Sequence, residues 1–150
     1  MMKAIFVAVL LLGLTAGWAT WSWSMDLQEY RWKNRLLLVF SPSDTDQTYL
    51  ELQQALGRAE DRLQDRDMVV FHLFPSGRGK VDGACLSEKE VRSLFQRFDV
   101  SDHPLTVILI GKDGGEKARQ VGRFDLQAVF DRIDAMPMRQ REMRQQSRGD

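Results

Sequence analysis

Hydrophobic residues recur along this chain in two rhythms, short unbroken runs and stripes spaced three and four apart. Their alternation predicts an α/β domain. Leu36-Leu37-Leu38-Val39-Phe40 is a bounded apolar run too short for a buried helix, so it predicts a central parallel strand covered on both faces. Ser43-Asp44-Thr45-Asp46 then offers a capping sequence, with Ser43 as the acceptor for a free first-turn amide. The stripe Tyr49, Leu52, Leu56, Ala59 and Leu63 predicts a helix lying on the sheet, with Glu51, Arg58, Glu60, Asp61 and Arg62 in water. Met68 to Phe74 predicts a second strand, closed by Pro75-Ser76-Gly77, and a glycine-containing loop continues to Leu86.

Ser87-Glu88-Lys89-Glu90 is a full capping box, and Val91, Leu94, Phe95 and Phe98 form the apolar face of the helix it opens. After Pro104, Leu105 to Ile110 reads as a strand, Lys112-Asp113-Gly114-Gly115 as a hairpin turn and Glu116 to Val121 as the returning strand. Lys117 and Arg119 suit a solvent-facing edge that resists pairing with other molecules. Asp125 caps a last helix with Leu126, Val129, Phe130 and Ile133 inward, ending before Pro137. The expected order is β-α-β-α-β-β-α, a central mixed sheet of about four strands flanked by helices, with a short C-terminal helix added.

The first residues differ in kind. Met1, Met2 and Lys3 make a positive start, Ala4 to Leu14 is an uncharged apolar run of about eleven residues, and Ala16, Gly17 and Ala19 are small. A membrane-spanning helix needs about 20 apolar residues, so the layout predicts a cleaved signal peptide rather than a stable membrane span. Cleavage is expected after Ala19, with Ser22-Trp23-Ser24 as a second site, and no cysteine there supports a lipid anchor. The domain expectation is a signal peptide at 1–19, a polar connector at 20–34, the folded domain at 35–136 and a C-terminal helix and tail at 137–150.

Charge excludes some partners. The 150-residue chain carries 21 Lys and Arg against 21 Asp and Glu, so no global field favours nucleic acid or an anionic membrane. Cys85 is the single cysteine, so no intrachain disulfide can form.

The element order is that of the thioredoxin fold, and Phe98 to Ile133 resembles its C-terminal half. A closer resemblance covers roughly Leu27 to Arg144. Leu36-Leu37-Leu38-Val39-Phe40-Ser41-Pro42-Ser43, Leu109-Ile110-Gly111-Lys112-Asp113-Gly114-Gly115 and Ile133-Asp134-Ala135-Met136-Pro137-Met138-Arg139-Gln140-Arg141-Glu142-Met143 resemble the family called domain of unknown function 4174. The resemblance implies a thioredoxin- or peroxiredoxin-like fold in an exported setting, as in bacterial proteins and as repeated modules of a secreted vertebrate matrix protein. It implies no established reaction.

In thioredoxin-like enzymes the nucleophilic cysteine follows the strand that Leu36 to Phe40 resembles, at the start of a helix whose dipole lowers the thiol pKa. Here the place reads Ser41-Pro42-Ser43-Asp44-Thr45-Asp46, and a serine without a base neither ionises usefully nor forms a disulfide. If the first two strands are parallel and the third antiparallel, this turn, the Pro75 to Leu86 loop and His103-Pro104 meet at one end of the sheet, where open α/β sheets bind ligands. Ser43, Asp44, Arg78, Lys80, Cys85 and His103 are therefore the candidate site residues, with helix capping and a solvated loop as the plain structural alternatives. Cys85 and His103 are the candidate catalytic pair.

Other chemistry fits less well. His72, His103 and Cys85 are too few for a structural zinc site, and Met136, Met138 and Met143 are ordinary packing residues before they are copper ligands. Ser43 lacks the flanking glycines of a nucleophile elbow, and Gly111 to Lys117 lacks P-loop spacing and a following helix. No cofactor is implied. The tail holds Arg139, Arg141, Arg144 and Arg148, which suit either a partner-docking helix or a solvated terminus, and Met138 and Met143 are expected to pack back on the domain. Two functional readings follow: a non-catalytic interaction or scaffold module of the cell envelope, binding an envelope protein, or a redox sensor or enzyme using Cys85 with His103.

Overall fold

A computed structural model describes residues 26–149; the expected signal peptide at 1–19 lies outside them. Six strands form one mixed sheet: β1 (Arg35–Phe40), β2 (Met68–Leu73), β3 (Gly79–Val81), β4 (Ala84–Cys85), β5 (Thr106–Ile110) and β6 (Glu116–Val121). Their order is β4-β3-β2-β1-β5-β6. β1 and β2 run parallel from Arg35↔Met68 to Phe40↔Leu73, and β5 lies antiparallel on the other side of β1. The two short strands β3 and β4 fall in the segment expected to be a loop, and they raise the sheet from about four strands to six. Three and two residues carry too little periodicity to be distinguished from a loop in sequence.

Five α-helices cover the sheet: α1 (Gln47–Arg58), α2 (Glu60–Gln64), α3 (Glu88–Arg97), α4 (Leu126–Asp134) and α5 (Pro137–Gln146). The stripe Tyr49 to Leu63, expected as one helix, is divided between α1 and α2 at Ala59, whose φ of −112° and ψ of 18° leave the helical range. The apolar face nevertheless continues across the break, because Tyr49, Leu52, Leu56, Ala59 and Leu63 are all buried.

Successive side chains of a strand point to opposite faces, so β1 feeds two cores. Leu37 and Val39 join α1, α2 and α4 through Leu52, Leu56, Leu63, Val129, Phe130 and Ile133. Leu36, Leu38 and Phe40 join α3 through Val91 and Leu94. All six β1 residues are buried, as a central strand covered on both faces requires. Exposed β6 is one edge and exposed β4 the other.

The expected connector is part of this architecture from residue 26 onward. Asp26 accepts the Gln28 amide at 2.9 Å and opens a 3₁₀ turn, Leu27–Tyr30. Leu27 is buried in the α3-side core, and the Tyr30 ring meets Phe71 edge-on at 5.5 Å. The apolar anchors are single residues in polar sequence, which is why periodicity does not reveal them.

Candidate functional site

The sheet topology brings the C-terminal end of β1 beside the end of β2 and the start of β5, and the Ser41 to Asp46 turn projects from there. Its hydroxyls are engaged locally. Ser41 is buried, its amide donates to Leu73 O at 3.0 Å and its Oγ donates to Ser43 O at 2.8 Å. Ser43 Oγ accepts the Thr45 amide at 3.3 Å and lies 3.2 Å from Thr45 Oγ1. The cap of α1 is therefore Asp46, which accepts the Tyr49 amide at 3.0 Å, and not Ser43 as expected. Asp46 displaces it because a carboxylate directly before the first helical residue reaches the first-turn amides, whereas Ser43 is spent on the preceding turn.

Asp44 and Arg78 do meet, as an exposed ion pair of 2.9 Å between the turn and the β2–β3 connection. Lys80 lies opposite His72 on one side and Cys85 on the other, so the three share a face of the sheet. Lys80 and His72 line a cavity of about 370 Å³ there. Burial, and then the charge of Lys80, lowers the His72 pKa to about 4, and its Nδ1 lies 3.1 Å from the Tyr49 hydroxyl.

The Cys85–His103 pair does not assemble. Cys85 is an exposed thiol on β4, and His103 is an exposed residue on the approach to β5. Four strand spacings separate β4 from β5, roughly 19 Å at about 4.8 Å each. Short strands β3 and β4 fold the loop outward to the far edge, which carries Cys85 away from the site that adjacency in an unstructured loop suggested. Among the described residues no three His, Cys, Asp or Glu side chains gather as a metal-binding group.

The densest polar construction lies at the opposite end of the sheet, where β1 begins and β5 ends. Arg35 is 1% exposed, and its guanidinium donates to Arg66 O at 2.9 Å and to both Glu142 oxygens at 3.1 and 3.3 Å. Lys112 Nζ joins Glu142 at 2.8 Å and Asp67 at 2.7 Å. Arg139, 3% exposed, donates to Asp65 O at 2.7 Å, to the Asp65 carboxylate and to Asp134. Arg66 closes the network with a two-point contact to Asp134 at 2.6 and 3.0 Å. Burial raises the Glu142 pKa, but hydrogen bonds from Lys112 and Arg35 outweigh it and leave the carboxyl below its usual value. Asp134 is likewise held low by Arg66 and Arg139 against the effect of burial.

This network is what the Asp134 to Met143 segment does in the fold. Met136, before the bend, packs against the core, but Met138 is 37% exposed and Met143 only half-buried, so these two do not hold the tail as expected; Arg139 is the buried residue of α5. Sequence reasoning assigned the tail arginines to a partner or to solvent because an internal partner set contributed by α2, β1 and the β5–β6 turn has no local signature. Beside the network, the α4–α5 junction and the β5–β6 turn enclose a cavity of about 430 Å³, which the sequence did not foreshadow.

The solved structure of a reduced 2-Cys peroxiredoxin from Plasmodium vivax superposes with a TM-score of 0.55 at 15% identity, covering 77% of this chain and 84% of that one. The chain is thioredoxin-like in fold. Coiled-coil domain-containing protein 80 of Danio rerio is 28% identical over 140 residues, 82% of this chain and 16% of that protein. Sushi repeat-containing protein SRPX of Rattus norvegicus is 27% identical over 120 residues, 78% of this chain and 26% of that protein. The chain thus spans only a minor part of these relatives. The model of the family described as "Domain of unknown function (DUF4174)" matches residues 26–142, which takes in the strands, the buried-arginine network and the first part of α5, and the chain belongs to that family.

Proposed function

We propose that this protein is an exported, non-catalytic interaction module of the bacterial cell envelope, in which a thioredoxin-like fold is kept for its surface. The observation that carries this reading is the Ser41-Pro42-Ser43 turn, whose hydroxyls are bonded to their own backbone and neighbours where a thiol enzyme needs a low-pKa cysteine. The exposed Cys85 thiol stands on the far edge strand without His103, which disfavours the redox-enzyme alternative. Export rests on the Met1 to Ala19 layout, and intact mass of the envelope form tests it: a mass retaining these residues overturns cleavage.

The activity test is direct. The purified chain should neither reduce an insulin disulfide nor consume peroxide with a thiol reductant above background. Turnover that vanishes in Cys85→Ser would replace this reading with a cysteine mechanism. Crosslinking and pull-down from envelope extracts should recover a specific protein partner; recovery of the chain alone under all conditions counts against a scaffold role.

A further inference from the structure

The cavity of about 430 Å³ at the α4–α5 junction has the size of a small-molecule site, and its lining has two distinct characters. Ala135, Met136, Pro137 and Met138 supply apolar surface, and Met138 is among the few large hydrophobic side chains left exposed. Arg132, from the last turn of α4, and Arg141, from α5, supply charge at the same cavity. The other cations around it are already answered: Arg35 by Glu142, Lys112 by Glu142 and Asp67, Lys117 by Asp113. Arg132 and Arg141 have no hydrogen bond or ion pair among the described residues. The single acidic side chain of the lining, Asp113, is held by Lys117 Nζ at 2.6 Å and by the Gly115 amide at 3.0 Å, so it does not neutralise them. Guanidinium groups match a carboxylate with two parallel donors, and the methionine thioethers adapt to a flexible chain.

We propose that this cavity binds a medium-chain aliphatic carboxylate, its anionic head taken by Arg132 and Arg141 and its chain laid against Ala135, Met136 and Met138. A purely inorganic anion would leave the apolar wall unused, and a neutral or cationic amphiphile would leave two guanidinium charges facing apolar matter. The site lies at the end of the sheet away from the Ser41 turn, so it does not depend on whether the protein has thiol chemistry.

Isothermal titration of the full chain with decanoate, kept below its micelle concentration, tests the proposal against decanol, decylamine and inorganic phosphate. Saturable one-site binding of decanoate is expected, with each of the other three at least about tenfold weaker. Arg132→Gln/Arg141→Gln should weaken decanoate about tenfold or more, as loss of a charge-assisted contact implies. Both arginines are exposed, so the unliganded double variant should melt with the parent. Ala135→Glu, which sets a carboxylate at an exposed position of the wall, should also abolish decanoate binding while the unliganded variant melts with the parent. Absence of saturation, undiminished binding by the double variant, or equal binding of decylamine overturns the site. Phosphate binding as tightly as decanoate overturns the aliphatic part of the assignment.

Discussion

Arg35 and Arg139 are long, permanently charged side chains that this fold takes almost wholly out of water, which is tolerable only because each finds several acceptors. No buried side-chain nitrogen or oxygen among the described residues lacks a hydrogen-bond partner. Removing a shared acceptor strands charge, so the cost is set by the partners left behind more than by the bond removed. Glu142 serves both Arg35 and the nearly buried Lys112, and Glu142→Ala should destabilise the chain by about 3 kcal/mol in urea titration. Arg92 and Glu88 form a solvent-exposed pair one helical turn apart, and Arg92→Ala should cost no more than about 0.5 kcal/mol. Equal losses for the two variants would show that the buried network is not a special contributor.

Helix boundaries are decided by which side chain reaches the free first-turn amides. Ser87 and Glu90 satisfy one another's backbone reciprocally at the start of α3, in agreement with the capping box read from sequence. At α1 the sequence pointed to Ser43, and the geometry selects Asp46 three residues further on. Asp46→Ala should therefore lower stability by about 1 kcal/mol, whereas Ser43→Ala should cost only a few tenths beyond the turn it supports; the reverse order of denaturation midpoints would return the cap to Ser43. The last element, α5, opens with Pro137 at its first position, where a missing amide proton costs nothing. Because α5 brings the buried Arg139 and the part-buried Glu142 into the network, truncation after Ala135 should lower stability by at least about 2 kcal/mol. Truncation after Gln146 removes the exposed Ser147, Arg148 and Gly149 together with the terminal Asp150 and should stay within about 0.5 kcal/mol.

Acid stability of the whole molecule should fall in two separate windows. His72 is held neutral in the fold, with a pKa lowered to about 4 by burial and by Lys80, while the unfolded chain takes up the proton near 6.5. Between those values the unfolded state binds more protons, so stability declines as pH falls, by up to about 1.4 kcal/mol per pH unit. The depressed carboxyls of Glu142 and Asp134 act lower. Their stabilisation is fully present above the unfolded carboxyl values and is lost only as pH falls on through the folded ones. Urea titrations at pH 7, 5.5 and 4.5 should show the first decline in the parent and not in His72→Asn. A His72→Asn chain with the parent's slope would remove His72 as its source.

The main strands and the helices α1, α3 and α4 follow from local pattern alone, because burial of one face imposes a period of 2 or 3.6 on any sequence long enough to show it. The Val91 and Leu94 face of α3 is of this kind; Leu36 to Phe40 is legible instead as an unbroken apolar run buried on both faces, and the turn at Gly114, with φ of 84°, as a glycine signal. The missing cysteine after Phe40 is also a property of the sequence, and with it the thioredoxin-like fold without a redox pair. What was not legible depends on contacts between residues far apart in the chain. Arg35 and Glu142 are 107 positions apart and Arg139 and Asp65 are 74, and no periodicity marks a charged residue that will be buried. The same holds for the separation of Cys85 from His103, which the two short strands β3 and β4 decide by carrying Cys85 to the sheet edge. Local sequence thus determined the elements and their apolar faces, since those are set by neighbours three or four residues away. The tertiary structure alone decided which charges are internal, where the cavity lies and which candidate residues meet, since each depends on how the completed sheet places distant segments side by side.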